Sequence, residues 1–241
     1  MPIATGYPDP TEPGVGAALF STWSVGGAER QRATAQAIEA TWRGRPWPDE
    51  NLLSYSVYAA DDGDILLHHS QWRSEEAYFA FVANHRQERN SSIDDAVPGI
   101  KRLGLSAYRL HRSHIPDPDR RATQPPGLIV TVDARFAPVP DRRTGWVDTV
   151  VDVLAADPHR HRELLGAHFH LLVDGARHLA SAADRVFNYA EWTSEEAYDE
   201  AVADSPEGGA ADWRRVLEFP GFQGSTVTRH RLLLHLDPRR G

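Results

Sequence analysis

The sequence contains no cysteine, and this absence removes several kinds of chemistry. Disulfides, thiolate metal sites, iron–sulfur clusters and cysteine nucleophiles are all excluded. Lysine is almost absent as well, because Lys101 is the single one in the chain. Schiff-base formation and lysine-dependent phosphate loops would have to use Lys101, which lies in no such motif. Any active site must therefore be built from other side chains.

Long apolar runs and basic clusters are also lacking. No stretch approaches the ~20 apolar residues that span a bilayer, and the N-terminal segment "MPIATGYPDPTEPGVG" has neither the basic start nor the apolar run of a signal peptide. The formal net charge of -8 argues against a protein that follows nucleic-acid phosphates. We therefore expect a cytoplasmic protein with no membrane and no nucleic-acid partner.

A near-duplicate phrase divides the chain into two halves. Trp-x-Ser-Glu-Glu-Ala-Tyr occurs at residues 72–78 and again at 192–198. Between the copies lies the proline-rich segment "HIPDPDRRATQPPG", which favours an extended connector. We predict a disordered tail at 1–16, a first domain at 17–113, a linker at 114–127 and a second domain at 128–237.

Each half shows the element order β-α-β-β-α-β, which is that of a ferredoxin-like unit. Ser74 and Ser194 are predicted to cap the helix that follows each repeated tryptophan, and residues 174–184 to form the loop of the second hairpin. Strands are predicted at 17–25, 52–60, 64–72, 105–112, 127–136, 164–173, 184–192 and 225–236, with helices at 28–44 and 143–157.

A four-stranded sheet of this kind covers one face with helices and leaves the other face bare. Two such sheets can close on each other, so the predicted fold class is α+β, with tandem ferredoxin-like (βαββαβ) repeats forming a dimeric α+β barrel. The halves pair within one chain, or each pairs with another chain in a homodimer. We expect the sheets to enclose a chamber into which the indole of Trp192 projects.

With this repeated phrase, the sequence resembles the antibiotic biosynthesis monooxygenase family of dimeric α+β barrels over most of both halves. Relatives include cofactor-free oxygenases that turn polyketide phenols or anthrones into quinones, haem-degrading enzymes and polyketide cyclases. The quinone-forming members carry an asparagine and a tryptophan four residues apart, and a tyrosine six residues further on. Asn188, Trp192 and Tyr198 match this pattern, whereas the first half has His68, Trp72 and Tyr78.

The resemblance also bears on two further positions. The family uses an arginine from the helical segment after the tyrosine, which Arg214 or Arg215 can supply. Haem-degrading relatives place a histidine about ten residues after the tryptophan, where this chain has Val82 and Val202. The resemblance therefore implies a site without haem, and we predict no cofactor.

Residue spacing supports a site independently of the family. Because side chains alternate along a strand, Asn188, Ala190 and Trp192 share one face, which suits a flat aromatic ligand with carbonyl oxygens. His168 and His170 share a face of another strand. If that face lines the chamber, one of them can shuttle a proton. Their spacing also fits a two-ligand metal clamp, but no motif supplies a third ligand, and we predict no metal.

The resemblance, together with this spacing, implies an oxidoreductase, a cofactor-independent monooxygenase that uses O₂ to oxidise an aromatic polyketide in antibiotic or secondary-metabolite biosynthesis. The predicted catalytic residues are Asn188, Trp192 and Tyr198. The predicted substrate-binding residues are His168, His170, Arg214, Trp72, His68 and Tyr78. Two alternatives stay open, a polyketide cyclase or other non-oxidative enzyme on the same scaffold, and a non-catalytic ligand-binding or accessory protein. Each repeated tryptophan and tyrosine also has a packing interpretation, as a core residue where strand meets helix or on the helix itself.

Overall fold

The computed structural model describes residues 6–138, 142–173, 184–203 and 209–239, with the backbone alone at 209–212. Its strands are β1 Ala17–Ser24, β2 Leu52–Ala60, β3 Ile65–Trp72, β4 Lys101–His114, β5 Leu128–Phe136, β6 Leu164–Leu172, β7 Asp184–Trp192 and β8 Phe222–Leu236. Its helices are α1 Ala28–Arg43, α2 Glu75–Phe81, α3 Gln87–Ala96, α4 Pro118–Thr123, α5 Arg142–Ala156, α6 Glu195–Val202 and α7 Gly209–Leu217, and a π-helical turn at Val82–Arg86 joins α2 to α3.

Contacts divide the described residues into two compact units. Unit 1 comprises residues 6–109, Val173 and 230–239. Unit 2 comprises the described residues of 110–172 and 184–229. The strands β4 and β8 each contribute residues to both units, so these units differ at their edges from the two predicted domains.

Hydrogen bonding between strands follows the same scheme in both units. In unit 1, β3 pairs with β1 and β2 in antiparallel register, and β1 also pairs with β4. In unit 2, β7 pairs with β5 and β6 in antiparallel register. The strand order is that of a closed barrel, β1-β3-β2-β8-β5-β7-β6-β4, and all eight strands belong to one chain. The predicted α+β class with a closed strand order is therefore confirmed.

The two copies of the repeated phrase fold alike because each carries the same local signals. Ser74 Oγ accepts a hydrogen bond from the backbone N–H of Ala77 at 3.3 Å. Ser194 Oγ likewise accepts a hydrogen bond from the backbone N–H of Ala197 at 3.1 Å. Both helices begin with two glutamates, which the helix dipole favours in the first turn. The predicted serine caps are thus confirmed in both units.

A glycine precedes the first strand of each unit at a place where no side chain fits. A Cβ at Gly16 would lie 2.1 Å from the carbonyl oxygen of Arg73, and a Cβ at Gly127 would lie 2.3 Å from that of Thr193. The backbone N–H of each glycine donates to the carbonyl of the repeated tryptophan, Trp72 or Trp192, at 2.9 Å. This close approach fixes where β1 and β5 enter their sheets.

Several predicted segments differ in the structure. The connector was predicted to be extended, but it contains α4, because Asp117 accepts a hydrogen bond from the backbone N–H of Arg120 at 3.0 Å and Pro118 suits the first turn. β4 and β8 begin earlier than predicted, at Lys101 and Phe222. The predicted loop at 174–184 lies outside the described residues apart from its last one.

Within the described part of the chain, no helix is long and apolar enough to cross a membrane.

Each unit packs its helices onto one face of its strands. In unit 1, Ile38 and Trp42 from α1 join Trp72 in the apolar core. In unit 2, Val150 of α5 joins Trp192. The face of each sheet that carries the repeated tryptophan is therefore the face under the helices.

Candidate functional site

Unit 2 contains a cavity of about 430 Å³ between its strands and its helices. Valines of β5 and α5 form much of its apolar lining, together with Ala167 of β6 and Trp213 of α7. At its rim, Val202, Leu217 and Val227 are more than half exposed. The volume falls within the range of small-molecule sites, which are mostly apolar with a few polar groups.

Asn188, Ala190 and Trp192 all line this cavity, so the strand alternation predicted from the sequence is confirmed. The position of the cavity differs from the prediction. The chamber was expected between bare sheet faces, whereas the indole of Trp192 lies in a space between the sheet of unit 2 and helices α5, α6 and α7. The sequence argument assumed that these helices fill the sheet face beneath them, and in unit 2 they do not.

The indole N–H groups of the two repeated tryptophans have different partners. Trp72 Nε1 donates to Ser70 Oγ at 2.9 Å. In the second copy the residue at that position is Ala190, which has no hydroxyl. Trp192 is 5% exposed, and its indole N–H has no hydrogen-bond partner among the described residues. One serine-to-alanine difference thus leaves a donor available at the cavity wall.

The side-chain amide of Asn188 is also without a partner. It forms no hydrogen bond within the part of the chain that the structure describes, and its Oδ1 atom is buried. Buried polar atoms are nearly always hydrogen-bonded in folded proteins. The wall therefore offers an indole donor and an amide, neither paired within the described residues, to the hydroxyl and carbonyl groups of a ligand.

Tyr198 packs against Trp192 at the same cavity. The two rings are 5.4 Å apart at 74°, and the guanidinium of Arg229 lies 5.0 Å from the centre of the Tyr198 ring. Burial raises the pKa of Tyr198, so the phenol stays protonated at neutral pH. In unit 1, Trp72 and Tyr78 pack at 5.5 Å and 75°. This ring pair is therefore common to both units.

The part of the equivalent space beside Trp72 is mostly filled in unit 1. The cavity there has a volume of about 80 Å³ and is lined by Trp23, Trp42 and Tyr55. Tyr55 pairs with Ser70 across the sheet, and in unit 2 Ala167 pairs with Ala190 at that position. Trp23 pairs with Leu66, and in unit 2 Ala134 pairs with Val186. Large rings at two positions that are alanine in unit 2 account for much of the difference.

His68 is part of this filling. Its Nδ1 atom lies 2.7 Å from the hydroxyl of Tyr55, and its ring centre lies 4.1 Å from that of Trp23. Burial, with a smaller effect of the Arg102 charge, lowers the pKa of His68 to about 3, so this imidazole is neutral. His68 and Trp72 thus border a space too small for a polycyclic ligand. Tyr78 also borders a second cavity in unit 1, of about 280 Å³.

His168 and His170 lie on the face of β6 away from the cavity. His168 Nε2 is 3.3 Å from Glu191 Oε2, and its Nδ1 is 2.8 Å from Ser113 Oγ. His170 Nδ1 lies 3.1 Å from the carbonyl oxygen of His168. Ala167, one residue before His168 on the same strand, lines the cavity instead. The condition for their proton-shuttle role, a shared space with Asn188, is therefore not met.

The predicted binding residue Arg214 also lies away from the cavity. Arg214 and Arg215 are exposed on α7, whose buried side carries Trp213 and Val216. The arginine at the cavity wall is Arg160, whose Nη2 donates to the carbonyl oxygen of Ala203 at 2.6 Å. The helical period explains this position, since residues one and two positions after Trp213 turn away from its face.

One cavity residue without any sequence signal as a site is His161, in the turn before β6. No spacing in the sequence connects a turn residue to Asn188, so the sequence does not predict His161 as part of the site. Within the described residues, no group of three or more histidine, aspartate or glutamate side chains is placed to hold a metal ion.

Comparison with known proteins shows the fold. No family model matches the chain, and no curated protein does. Among solved structures, a protein described as anthrone oxidase-like has a TM-score of 0.64 at 14% identity, covering 92% of this chain and 93% of that one. A protein of Fusobacterium nucleatum subsp. nucleatum, provisionally assigned as a monooxygenase, has a TM-score of 0.61 at 7% identity, covering 93% and 95%. A mutant form of chlorite dismutase from Candidatus Nitrospira defluvii has a TM-score of 0.51 at 12% identity, covering 92% of each chain. The chain is similar in fold to all three.

Proposed function

We propose that this protein is a cofactor-independent monooxygenase that oxidises an aromatic polyketide of the phenol or anthrone type to a quinone, using the cavity of unit 2. The observation that carries the proposal is a pair of polar groups in the wall of a cavity of about 430 Å³. The buried Oδ1 of Asn188 and the indole N–H of Trp192 have no hydrogen-bond partner among the described residues. The likeness to a protein described as anthrone oxidase-like supports the same chemistry.

The architecture behind this proposal is a tandem pair of ferredoxin-like repeats. The paired glycines, Gly16 and Gly127, and the paired serine caps support a duplication of one βαββαβ unit. The second repeat then carries the site. In the first repeat, rings occupy much of the corresponding space beside Trp72.

Such a reaction needs only the substrate and O₂. An anthrone loses a proton to give an electron-rich anion, which passes one electron to O₂. The resulting substrate radical and superoxide combine to form a carbon–oxygen bond, and protonation gives a hydroperoxide. Cleavage of the oxygen–oxygen bond with loss of the remaining hydrogen on that carbon releases water and leaves the quinone carbonyl. One oxygen atom thus enters the product and the other leaves as water.

In this reaction the protein binds and orients the anion. Hydrogen-bond donors placed where negative charge develops stabilise that charge most effectively in a site with little water. The Trp192 N–H and the Asn188 amide supply such donors, and the surrounding valines limit the access of water. The Tyr198 phenol, protonated at neutral pH, is a further donor at the same wall.

The side chains at the cavity also favour chemistry without haem. Val202, at the position where the sequence comparison expects the histidine of haem-degrading relatives, lies at the cavity rim and offers no ligand atom. No step of the proposed reaction requires a metal or a flavin.

Oxygen uptake tests the proposal directly. We expect purified protein, treated with chelator and free of flavin, to consume O₂ in the presence of an anthrone. Trp192→Phe and Asn188→Ala should each lower kcat by about 10²-fold, the usual cost of losing a donor to a developing oxyanion. Trp72→Phe is the matched control in unit 1 and should leave kcat within about twofold. Equal losses from Trp72→Phe and Trp192→Phe would contradict a site in unit 2.

Anaerobic incubation separates the two alternative functions. A polyketide cyclase would convert its substrate without O₂, and a binding protein would bind the aromatic compound without converting it. Strict dependence of quinone formation on O₂ is the outcome that the proposal requires.

A further inference from the structure

The turn before β6 places a histidine inside the cavity of unit 2. His161 is 4% exposed and lines the same space as Asn188 and Trp192. Its ring stands edge-on to two tryptophans, with centroids 6.4 Å from Trp192 at 70° and 6.3 Å from Trp213 at 87°. The imidazole therefore lies at the wall that also carries the proposed oxyanion donor.

The ring nitrogens of His161 have no hydrogen-bond partner among the described residues. The Nδ1 atom is fully buried and unpaired. An unsatisfied buried polar atom costs about 1–3 kcal/mol, so a histidine kept in this state calls for an explanation other than packing. A role with a bound ligand supplies one.

The turn itself does not require a histidine. The backbone N–H of Leu164 donates to the carbonyl of His161 at 3.0 Å. In unit 1, the backbone N–H of Leu52 donates in the same way to the carbonyl of Asp49 at 3.4 Å. Asp49 uses its side chain locally, where Oδ1 accepts from the backbone N–H of Asn51 at 2.7 Å. The same turn thus forms with an aspartate in unit 1, and the imidazole is specific to the unit with the large cavity.

We propose that His161 is the proton acceptor for the aromatic substrate in this cavity. The inference rests on the proposed function and adds a catalytic residue to it. In the first step, the substrate proton moves to the free nitrogen of the neutral imidazole, giving imidazolium and the substrate anion. After the anion has reacted with O₂, the imidazolium returns that proton to the peroxide oxygen. The imidazole is neutral again before water leaves.

The surroundings of His161 are consistent with this cycle. Burial is the main cause that lowers the pKa of His161; the charge of Asp157 raises it, and Arg160 and His114 lower it further. The free enzyme therefore carries neutral imidazole at neutral pH, ready to accept a proton. A substrate anion beside the ring favours imidazolium, because an opposite charge within a few ångströms stabilises the charged form.

Binding of a dihydroxyanthraquinone tests the proposal without oxidation. This quinone is already oxidised, and its phenolate absorbs visible light at longer wavelength than its phenol. We expect the wild-type protein to lower the apparent pKa of the bound phenol by about 1–3 units relative to free solution. His161→Gln should remove most of this shift. The control is His159→Gln, an exposed histidine two residues earlier in the same segment, which should leave the shift unchanged.

Turnover provides a second readout. General base catalysis contributes about 10²–10⁴-fold, so His161→Gln should lower kcat for anthrone oxidation by at least about 10²-fold. It should also remove the fall in rate at acidic pH that protonation of the base causes. His161→Asn gives a second variant should the glutamine form fail to fold.

The outcomes separate the two proposals. A phenol shift that depends on His161, without O₂ uptake by the wild type, would retain the proton acceptor and overturn the oxygenase. O₂ uptake with an unchanged rate and pH profile in the folded His161 variants would overturn the proton acceptor and retain the oxygenase. The absence of any phenol shift in the wild type would also overturn the proton acceptor.

Discussion

Exchanging one residue between the two units tests whether the indole N–H of Trp192 donates a hydrogen bond to a ligand. This N–H has no partner among the described residues. Ser70 accepts the hydrogen bond of Trp72 Nε1 at 2.9 Å, and Ala190 occupies the same position beside Trp192. Ala190→Ser should give Trp192 an internal acceptor, and Ser70→Ala should remove the acceptor from Trp72. The two substitutions change the same atom in the same local structure, so each is the control for the other.

The expected magnitudes differ because the two indoles have different surroundings. Trp72 is 1% exposed, and an unsatisfied buried donor costs about 1–3 kcal/mol. Ser70 and Trp72 border a cavity of about 80 Å³, and a water molecule there can restore part of the loss. We therefore expect Ser70→Ala to destabilise by about 1–2 kcal/mol, or roughly 2–8 °C in Tm. Ala190→Ser should weaken ligand binding by about 1 kcal/mol, roughly fivefold in Kd, because the ligand must replace an internal hydrogen bond.

Two measurements check this pair of substitutions. Visible absorbance titration with a dihydroxyanthraquinone gives Kd, and thermal unfolding gives Tm. The expected pattern is a weaker Kd with nearly unchanged Tm for Ala190→Ser, and a lower Tm with unchanged Kd for Ser70→Ala. The reasoning is refuted if Ala190→Ser binds the quinone as tightly as the wild type, since the indole N–H would then make no contact with the ligand.

Three further substitutions test other parts of the structure. Ala167→Tyr, which copies Tyr55 of unit 1, should fill the cavity and abolish quinone binding with a retained far-ultraviolet circular dichroism spectrum; unchanged binding would place the ligand elsewhere. Glu191→Gln should lower the unfolding free energy by about 3–5 kcal/mol in urea titrations, because the buried carboxylate pairs with Arg121 at 2.6 Å. Burial alone would raise the pKa of Glu191, but hydrogen bonds from His168 and Arg121 outweigh burial and lower the pKa. The contribution of the Glu191 carboxylate to stability is therefore complete above the ordinary pKa of 4.5 and is lost as the pH falls below it. His68 has a folded pKa of about 3 and an ordinary value of 6.5, so its contribution to stability is complete above pH 6.5 and declines towards pH 3. His68→Gln should reduce the acid-induced loss between pH 6.5 and 5 by about 2 kcal/mol, and an unchanged loss would contradict the burial of a neutral imidazole.

Local signals explain which features the sequence predicted well. The alternation that places Asn188, Ala190 and Trp192 on one face depends only on strand geometry, and the serine caps depend on a few neighbouring residues. Both are present in the structure because nothing distant competes with them. The same is true of the repeated element order, whose strands and helices carry clear periodic patterns.

Features that depend on distant residues could not be predicted in the same way. Which face of the sheet encloses a space depends on side chains from several elements, such as Trp23 and Tyr55 in unit 1 against two alanines in unit 2. The placement of His168 on the opposite face from Asn188 needs the register of β6 and β7. His161 had no pattern to mark it, because its turn differs from that of unit 1 only in the residue type.

If the two units arose by the proposed duplication, the contrast between them argues that packing and ligand binding have since separated. In unit 1, the tryptophan N–H is bonded to Ser70 and the Nδ1 of His68 to Tyr55. In unit 2, the corresponding Trp192 and Asn188 have no such partners among the described residues, and apolar side chains at the cavity rim stay exposed. Unsatisfied polar groups and exposed apolar groups both reduce stability, and at this cavity a bound ligand would compensate both kinds. Unit 1, with the same frame and only a small cavity beside Trp72, can then stabilise the fold without constraining the residues of the site.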